Sequence, residues 1–138
     1  MIPPDLLFNL FLAVSVVESG VNPDAIGDQG RAIGIVQIHK ILVDDVNRIG
    51  HYNLLPEDRN KVGYSWLMFR VYMGHYGRGL DRQEDLARLW NGGPEGLNKP
   101  ATIKYGKTVA EILENTYVMT AARERVANEL LKEEEQVK

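Results

Sequence analysis

The feature that most constrains this chain is a run of twelve residues, Leu6 to Val17, interrupted only by Asn9 and Ser15. Its apolar residues recur at helical spacing, and the remaining positions widen the apolar stripe around the helix. A helix that is apolar on nearly all sides has to be enclosed by other elements. The run is also shorter than the roughly 20 apolar residues that span a bilayer. It therefore predicts a buried helix around which the rest of the chain folds.

A run of this length is also typical of the apolar region of a signal peptide. Here Asp5 precedes it where a signal peptide would carry Lys or Arg, and no pattern of small residues marks a cleavage site after it. We therefore predict that it is not a signal peptide and that the protein is made in the cytoplasm. Any action outside the cytoplasm then requires another route of delivery.

Length and composition favour one domain over residues 1–138, since 138 residues with 44% hydrophobic and 25% charged side chains can bury a core. The absence of cysteine excludes disulfides and thiolate metal sites. The formal net charge is −3, and residues 129–138 hold four Glu and two Lys, which predicts a charged helix end or tail there. The nearly neutral remainder argues against a nucleic-acid partner.

Helical spacing of apolar residues predicts five more helices, over about 37–48, 56–76, 83–91, from Pro100 onward, and 117–132 with a frayed end. Residues 20–34 contain four glycines and one proline, which predicts a folded loop or a small β-hairpin. Gly20 is placed to end the first helix in the left-handed conformation. The expected fold class is mainly α with one glycine-rich loop or hairpin.

Glu18 directly follows the apolar run. Apolar surroundings and the negative end of the helix macrodipole both disfavour its anion, so we expect a raised pKa. A carboxyl group that stays protonated near neutral pH is what a general acid requires. The alternative is a glutamate on the last helical turn that is simply exposed to water.

Four segments follow one another in the order Glu18-Ser19-Gly20-Val21-Asn22-Pro23, Gly34-Ile35-Val36-Gln37-Ile38, Ala87-Arg88-Leu89-Trp90-Asn91-Gly92-Gly93 and Ala101-Thr102-Ile103-Lys104-Tyr105. Together, over about residues 13–110, they resemble the soluble lytic transglycosylase (SLT) domain and its relatives, the goose-type lysozymes. The chain departs from the family pattern at Trp90, where a tyrosine is commoner, and at Lys40, where many relatives carry proline.

The resemblance implies a lysozyme-like helical fold and cleavage of the β-1,4 bond between N-acetylmuramic acid and N-acetylglucosamine in peptidoglycan. Glu18 would protonate the glycosidic oxygen and then accept a proton from the muramic acid O6 hydroxyl, which closes a 1,6-anhydro ring. Tyr105 matches the tyrosine that hydrogen-bonds the catalytic carboxyl, so Glu18 and Tyr105 are the predicted catalytic residues. The residues expected to bind substrate are Ser19, Gly34, Gln37, Trp90 and Asn91.

Each of these residues also has a structural interpretation. Ser19 suits a helix C-terminus, Gly34 a turn, and Gln37 the surface at the start of a helix. Trp90 can fill core against Trp66 as well as line a cleft. In the same way, Asn91 suits a helix cap, and Tyr105 suits the protein surface.

Asp28 leaves the type of reaction open. It lies in the glycine-rich segment ten positions after Glu18. Inverting glycosidases place a second carboxylate roughly 6.5–9.5 Å from the acid so that water fits between them. If Asp28 activates such a water, the enzyme is a hydrolytic muramidase; otherwise Asp28 is a turn former. A non-catalytic peptidoglycan-binding module is a further alternative, because fold does not imply activity.

The remaining expectations concern ligands and location. His39, His51 and His75 lack the spacing of metal ligands, so we expect no metal, and the resemblance implies no cofactor. The expected partners are peptidoglycan glycan strands, with no nucleic acid and no stable membrane insertion, and the expected state is a monomer. A bacteriophage endolysin, delivered to the cell wall or periplasm by a holin or with the virion, fits these expectations.

Overall fold

The computed structural model describes residues 2–137, and within them the chain is mainly helical, which confirms the expected class. The elements in chain order are α1 (Pro4–Ser19), β1 (Ile26–Gly27), β2 (Ala32–Ile33), α2 (Lys40–Gly50), α3 (Val62–Tyr76), α4 (Gln83–Gly92), α5 (Ile103–Glu114) and α6 (Thr116–Val137). None of the helices in this part of the chain combines the length and the apolar character needed to cross a membrane.

Helix α1 is the centre of the core, as its apolar run predicts. It packs against α3, α4, α5 and α6. Its fully buried residues are Leu10, Phe11, Leu12, Ala13, Val14 and Ser15. Gly20 ends the helix with φ 64°, and its N–H donates to the carbonyl of Val16. The predicted left-handed cap is therefore confirmed, and it brings Glu18 to the last turn of a helix that is otherwise enclosed.

The glycine-rich segment forms the small hairpin that its composition predicts. Strands β1 and β2 are antiparallel, with Ile26 opposite Ile33 and Gly27 opposite Ala32. A second tight turn follows at once, because Ile33 and Ile38 exchange backbone hydrogen bonds in both directions. We call residues 26–39 the hairpin segment, and it forms one wall of the site described below.

Gly34 is required at this second turn by space and by backbone conformation. Its φ is +94°, and a Cβ at this position would lie 1.9 Å from the carbonyl oxygen of Arg59. Only glycine therefore lets the hairpin segment pack against the residues that precede α3.

The expected helix over about 37–48 was wrong at its start. Helix α2 begins at Lys40, because Gln37 has φ 56° and Ile38 pairs with Ile33. The expected helix from Pro56 to Tyr76 is also interrupted. A 3-10 turn over Pro56–Asn60 precedes an extended Lys61, and α3 starts at Val62. The bridge between Ile33 and Ile38 overrides helical spacing at the first place, and the 3-10 turn before Lys61 does so at the second.

Two further boundaries differ from the expectation. Pro100–Thr102 is a 3-10 turn, held by the Thr102 hydroxyl, which donates to the carbonyls of Gly96 and Lys99, and α5 follows at Ile103. Helix α6 continues to Val137 where fraying from about 132 was expected. Glu133 explains this extension, since its carboxylate accepts the backbone N–H of Gly63 and ties the end of α6 to α3.

Candidate active site

A cleft of about 880 Å³ lies between the hairpin segment, α2, the last turn of α1 and the end of α4. The residues singled out from the sequence that line it are Glu18, Asp28, Gln37, His39, Trp90 and Asn91. They come from three separate parts of the chain: the end of α1, the hairpin segment and the end of α4. The fold therefore gathers most of the predicted site into one concave surface.

The carboxyl group of Glu18 lies half-buried at this cleft and accepts a hydrogen bond from Tyr105. The Tyr105 hydroxyl, on α5, is 2.8 Å from Glu18 Oε2. Burial raises the pKa of Glu18, and the hydrogen bond from Tyr105 offsets part of that rise. The predicted direction of the shift is confirmed. Among the described residues Glu18 Oε1 has no hydrogen-bond partner. This oxygen is therefore free to carry the proton of the neutral carboxyl group and to donate it to a ligand.

Tyr105 is held in its donating form. Its own burial, and then the nearby Glu18 carboxyl, raise the pKa of the Tyr105 phenol above its usual value. The phenol therefore stays protonated and keeps donating to Glu18 Oε2. The contact implied by the family resemblance is present, and it fixes the orientation of the carboxyl group.

Asp28 also lines the cleft, but its carboxylate is engaged by the side chains of Arg31 and His39. Oδ1 accepts from Arg31 Nη2 at 3.1 Å, and Oδ2 lies 3.3 Å from His39 Nε2. Asp28 and Gln29 have left-handed backbones at the tip of the hairpin, so Asp28 is both a turn residue and a cleft residue. A water molecule activated by Asp28 would have to compete with Arg31 and His39 for its oxygens.

Gln37 lines the cleft while its amide nitrogen is used within the protein. Nε2 donates to the carbonyl of Ala25 at 3.2 Å and to that of Gly34 at 3.0 Å. Its left-handed backbone is costly for a residue with a Cβ, and such conformations cluster at binding sites. Gln37 therefore holds the hairpin segment in shape, and its side chain is part of the cleft wall.

Two residues predicted to bind substrate lie outside the cleft lining. The Ser19 hydroxyl donates to the carbonyl of Ile35 at 2.6 Å and accepts the N–H of Asn22 at 3.0 Å. Gly34, within the hairpin segment, is buried against the backbone of Arg59. In the structure both join the hairpin segment to its neighbours.

The end of α4 forms another part of the cleft wall. Trp90 is 9% exposed and donates from Nε1 to the carbonyl of Val36 at 3.3 Å. Its ring packs on Phe69 and Tyr72 at centroid distances of 4.8 and 5.7 Å. Trp90 thus belongs to the core and lines the cleft at the same time. Asn91 is exposed beside it, with its amide available to a ligand.

One face of α2 supplies cleft residues that the sequence analysis missed. Ile41, Asp44, Asp45 and Arg48 all line the cleft. Asp45 accepts hydrogen bonds from Arg48 and from the Tyr76 hydroxyl, the latter at 2.5 Å. The sequence does carry a signal for this face, since the spacing of these four residues places them on one side of a helix.

A buried arginine beneath the hairpin segment was also missed. Arg59 is 8% exposed, and its guanidinium donates to the carbonyls of Pro56, Arg31 and Ile38 at 2.7, 3.1 and 2.9 Å. Burial lowers the pKa of Arg59, and the three carbonyls accept hydrogen bonds from its Nε and Nη1. Arg59 therefore ties two positions of the hairpin segment, Arg31 and Ile38, to the residues that precede α3.

Within residues 2–137, no group of three or more His, Asp or Glu side chains is placed to hold a metal ion. Comparison of the chain with protein-family models, with curated proteins and with solved structures finds no match. The functional assignment therefore rests on the chemistry of the cleft and on the motifs described above.

Proposed function

We propose that this protein is a peptidoglycan lytic transglycosylase with a lysozyme-like fold. The observation that carries the proposal is the state of Glu18. Its carboxyl group lies at the cleft, at the end of a buried helix, with a raised pKa and a hydrogen bond from Tyr105. A protonated and oriented carboxyl group at a cleft wall is the central requirement of glycosidic bond cleavage.

In the first step the protonated Glu18 gives its proton to the oxygen of the β-1,4 bond. The bond from C1 of N-acetylmuramic acid to that oxygen breaks, and N-acetylglucosamine leaves with a new hydroxyl group. Positive charge develops at C1, and Glu18 is now a carboxylate. The hydrogen bond from Tyr105 stabilises this anionic form, because it favours the charged state of the carboxyl group.

In the second step the Glu18 carboxylate removes the proton from the O6 hydroxyl of the same muramic acid. O6 bonds to C1, the 1,6-anhydro ring closes, and Glu18 returns to its protonated form. No water is consumed, and no second carboxylate is needed. The Asn91 amide, which offers both a donor and an acceptor, suits an N-acetyl group of the sugar, and Trp90 supplies an apolar wall.

A hydrolytic muramidase is the second candidate, because Asp28 lines the same cleft as Glu18. In this reaction Asp28 would remove a proton from water, and the water oxygen would bond to C1 from the opposite face of the sugar. The contacts of Asp28 with Arg31 and His39 favour transglycosylation, since they occupy both carboxylate oxygens.

Mass spectrometry of the muropeptides released from purified sacculi separates these reactions. Transglycosylation leaves anhydro ends that are lighter by one water than the reducing ends left by hydrolysis. We expect anhydro ends from the unaltered protein, no release by Glu18→Gln, and anhydro ends still formed by Asp28→Asn. Reducing ends that disappear in Asp28→Asn would instead establish the muramidase. Binding to sacculi without any release would establish a non-catalytic module.

A further inference from the structure

The face of α2 that lines the cleft differs in character from the part of the lining that the end of α4 supplies. Ile41, Asp44, Asp45 and Arg48 recur at intervals of three to four residues, so they form one stripe about 10 Å long. The end of α4 and the residues after it contribute the uncharged residues Trp90, Asn91, Gly93 and Pro94 to the same cleft. The cleft therefore has an uncharged wall and a wall that carries charges of both signs.

The guanidinium of Arg48 is fixed on the charged wall. Asp45 accepts from Arg48 Nη2 through Oδ1 and from the Tyr76 hydroxyl through Oδ2, so both of its oxygens are used. Arg48 Nη2 also lies 3.3 Å from the Tyr76 hydroxyl oxygen. The Arg48 side chain nevertheless stays 65% exposed, and the remaining guanidinium N–H groups have no partner within residues 2–137. A guanidinium oriented in this way is suited to binding a carboxylate.

Asp44 and Ile41 complete the charged wall with different chemistry. Asp44 is exposed and has no ion pair or hydrogen bond from a side chain among the described residues, and Ile41 is 78% exposed. An anionic side chain, a fixed cation and an apolar surface thus lie along two turns of one helix. This combination complements a ligand that carries an amine, a carboxylate and an alkyl chain.

We propose that this wall binds the peptide stems of peptidoglycan, an inference that rests on the proposed function. The N-acetylated sugars of the glycan are uncharged, whereas the stems attached to muramic acid carry free carboxylates and the amine of a dibasic residue. Arg48 pairs with a stem carboxylate, Asp44 with the amine, and Ile41 contacts the alkyl chain between them. The uncharged wall holds the sugars, and the α2 wall selects strands that carry peptides.

The test compares two substrates that differ only in the stems. Glycan strands are prepared from sacculi with their peptides and, in parallel, after an amidase has removed them. Initial rates of anhydro-end formation are measured on both, and the ratio of the two rates is compared between variants. We expect the unaltered protein to prefer peptide-bearing strands, and Arg48→Gln and Asp44→Asn each to lower the ratio about tenfold, the effect of one charge-assisted hydrogen bond.

Arg78→Gln is the matched control, because Arg78 is exposed and lies outside the cleft lining. It should keep the ratio of the unaltered protein. If Arg48→Gln does not fold, Asp44→Asn still tests the proposal, because Asp44 has no side-chain partner among the described residues that the substitution would remove. An unaltered protein without preference, or an unchanged ratio in both cleft variants, overturns the proposal.

A binding measurement keeps this inference separate from the proposed reaction. The free stem peptide is titrated into labelled protein, and the side-chain Nε–H signals of Arg48 and Arg78 are followed by NMR. Movement of the Arg48 signal alone supports the peptide site, even if neither strand is cleaved and the proposed function fails. An unmoved Arg48 signal at saturating peptide, or equal movement of both signals, rejects it.

Discussion

Replacing Glu18 with glutamine should stabilise the protein at neutral pH while it abolishes activity. Burial raises the pKa of Glu18 in the folded protein above its ordinary value of 4.5. Folding therefore favours the neutral form, and this contribution to stability is lost as pH rises through the folded pKa. The loss amounts to about 1.4 kcal/mol for each pH unit between the pKa of the unfolded chain and that of the folded protein.

Glutamine has nearly the same shape, cannot ionise, and can still accept the hydrogen bond from Tyr105. At about pH 3.5 the side chain at position 18 is neutral both in the unaltered protein and in Glu18→Gln. The free energies of unfolding of these two proteins should therefore be similar at that pH. Above that pH Glu18→Gln should become increasingly more stable than the unaltered protein. The difference between their free energies of unfolding should level off once the pH exceeds the pKa of Glu18 in the folded protein. Urea unfolding followed by tryptophan fluorescence between about pH 3.5 and 8 measures this curve.

Glu111→Gln supplies the matched loss of one negative charge from an exposed position on α5. The Glu18→Gln curve is compared with it so that the change in net charge cancels. A difference that does not change with pH, or a Glu18→Gln variant that becomes less stable as pH rises, would refute the claim that the buried carboxyl group resists ionisation. Activity on sacculi should fall by roughly 10²–10⁴ in the same variant if Glu18 is the general acid.

Three further variants test the support of the site. Tyr105→Phe removes the hydrogen bond that lowers the pKa of Glu18 and so opposes the effect of burial. The pKa of Glu18 should therefore increase further, and the alkaline limb of the pH–rate profile should move to higher pH. An unmoved limb would contradict this expectation. Arg59→Met removes the hydrogen bonds that the guanidinium donates to the carbonyls of Arg31 and Ile38, so it should lower the free energy of unfolding by about 2–5 kcal/mol in urea. An unchanged midpoint would show that these bonds are dispensable. Gly34→Ala places a methyl group against the Arg59 carbonyl and should cost about 3 kcal/mol or more in the same assay, and a cost below about 1 kcal/mol would show that the hairpin segment yields easily.

Local chemistry made several features predictable. The apolar run that becomes α1 has few polar positions, so burial is its one stable outcome in water. Gly20 and the glycine-rich segment after it signal a helix end and a hairpin, since both need backbone conformations that glycine reaches at little cost. The same local pattern, an apolar helix that ends at Glu18, predicted the direction of the pKa shift of Glu18, whereas the burial that causes it depends on the surrounding elements.

Element boundaries were predicted less well. Helical spacing could not show that Gln37 has a left-handed backbone conformation or that α3 begins only at Val62. The bonds responsible join residues distant in sequence, such as Arg59 to Ile38 and Glu133 to Gly63. A periodicity read over one window contains no information about such partners.

The mainly helical class, the buried first helix and the position of Glu18 at its end could be predicted from the residues alone, because each depends on neighbours along the chain. Packing between the elements set the burial of Glu18, placed His39 against Asp28, left Ser19 and Gly34 outside the cleft lining, and made a charged face of α2 part of the cleft. The physical reason is that a cleft is defined by the surfaces that separate helices leave between them. Those surfaces depend on how the helices pack, which short-range patterns do not contain.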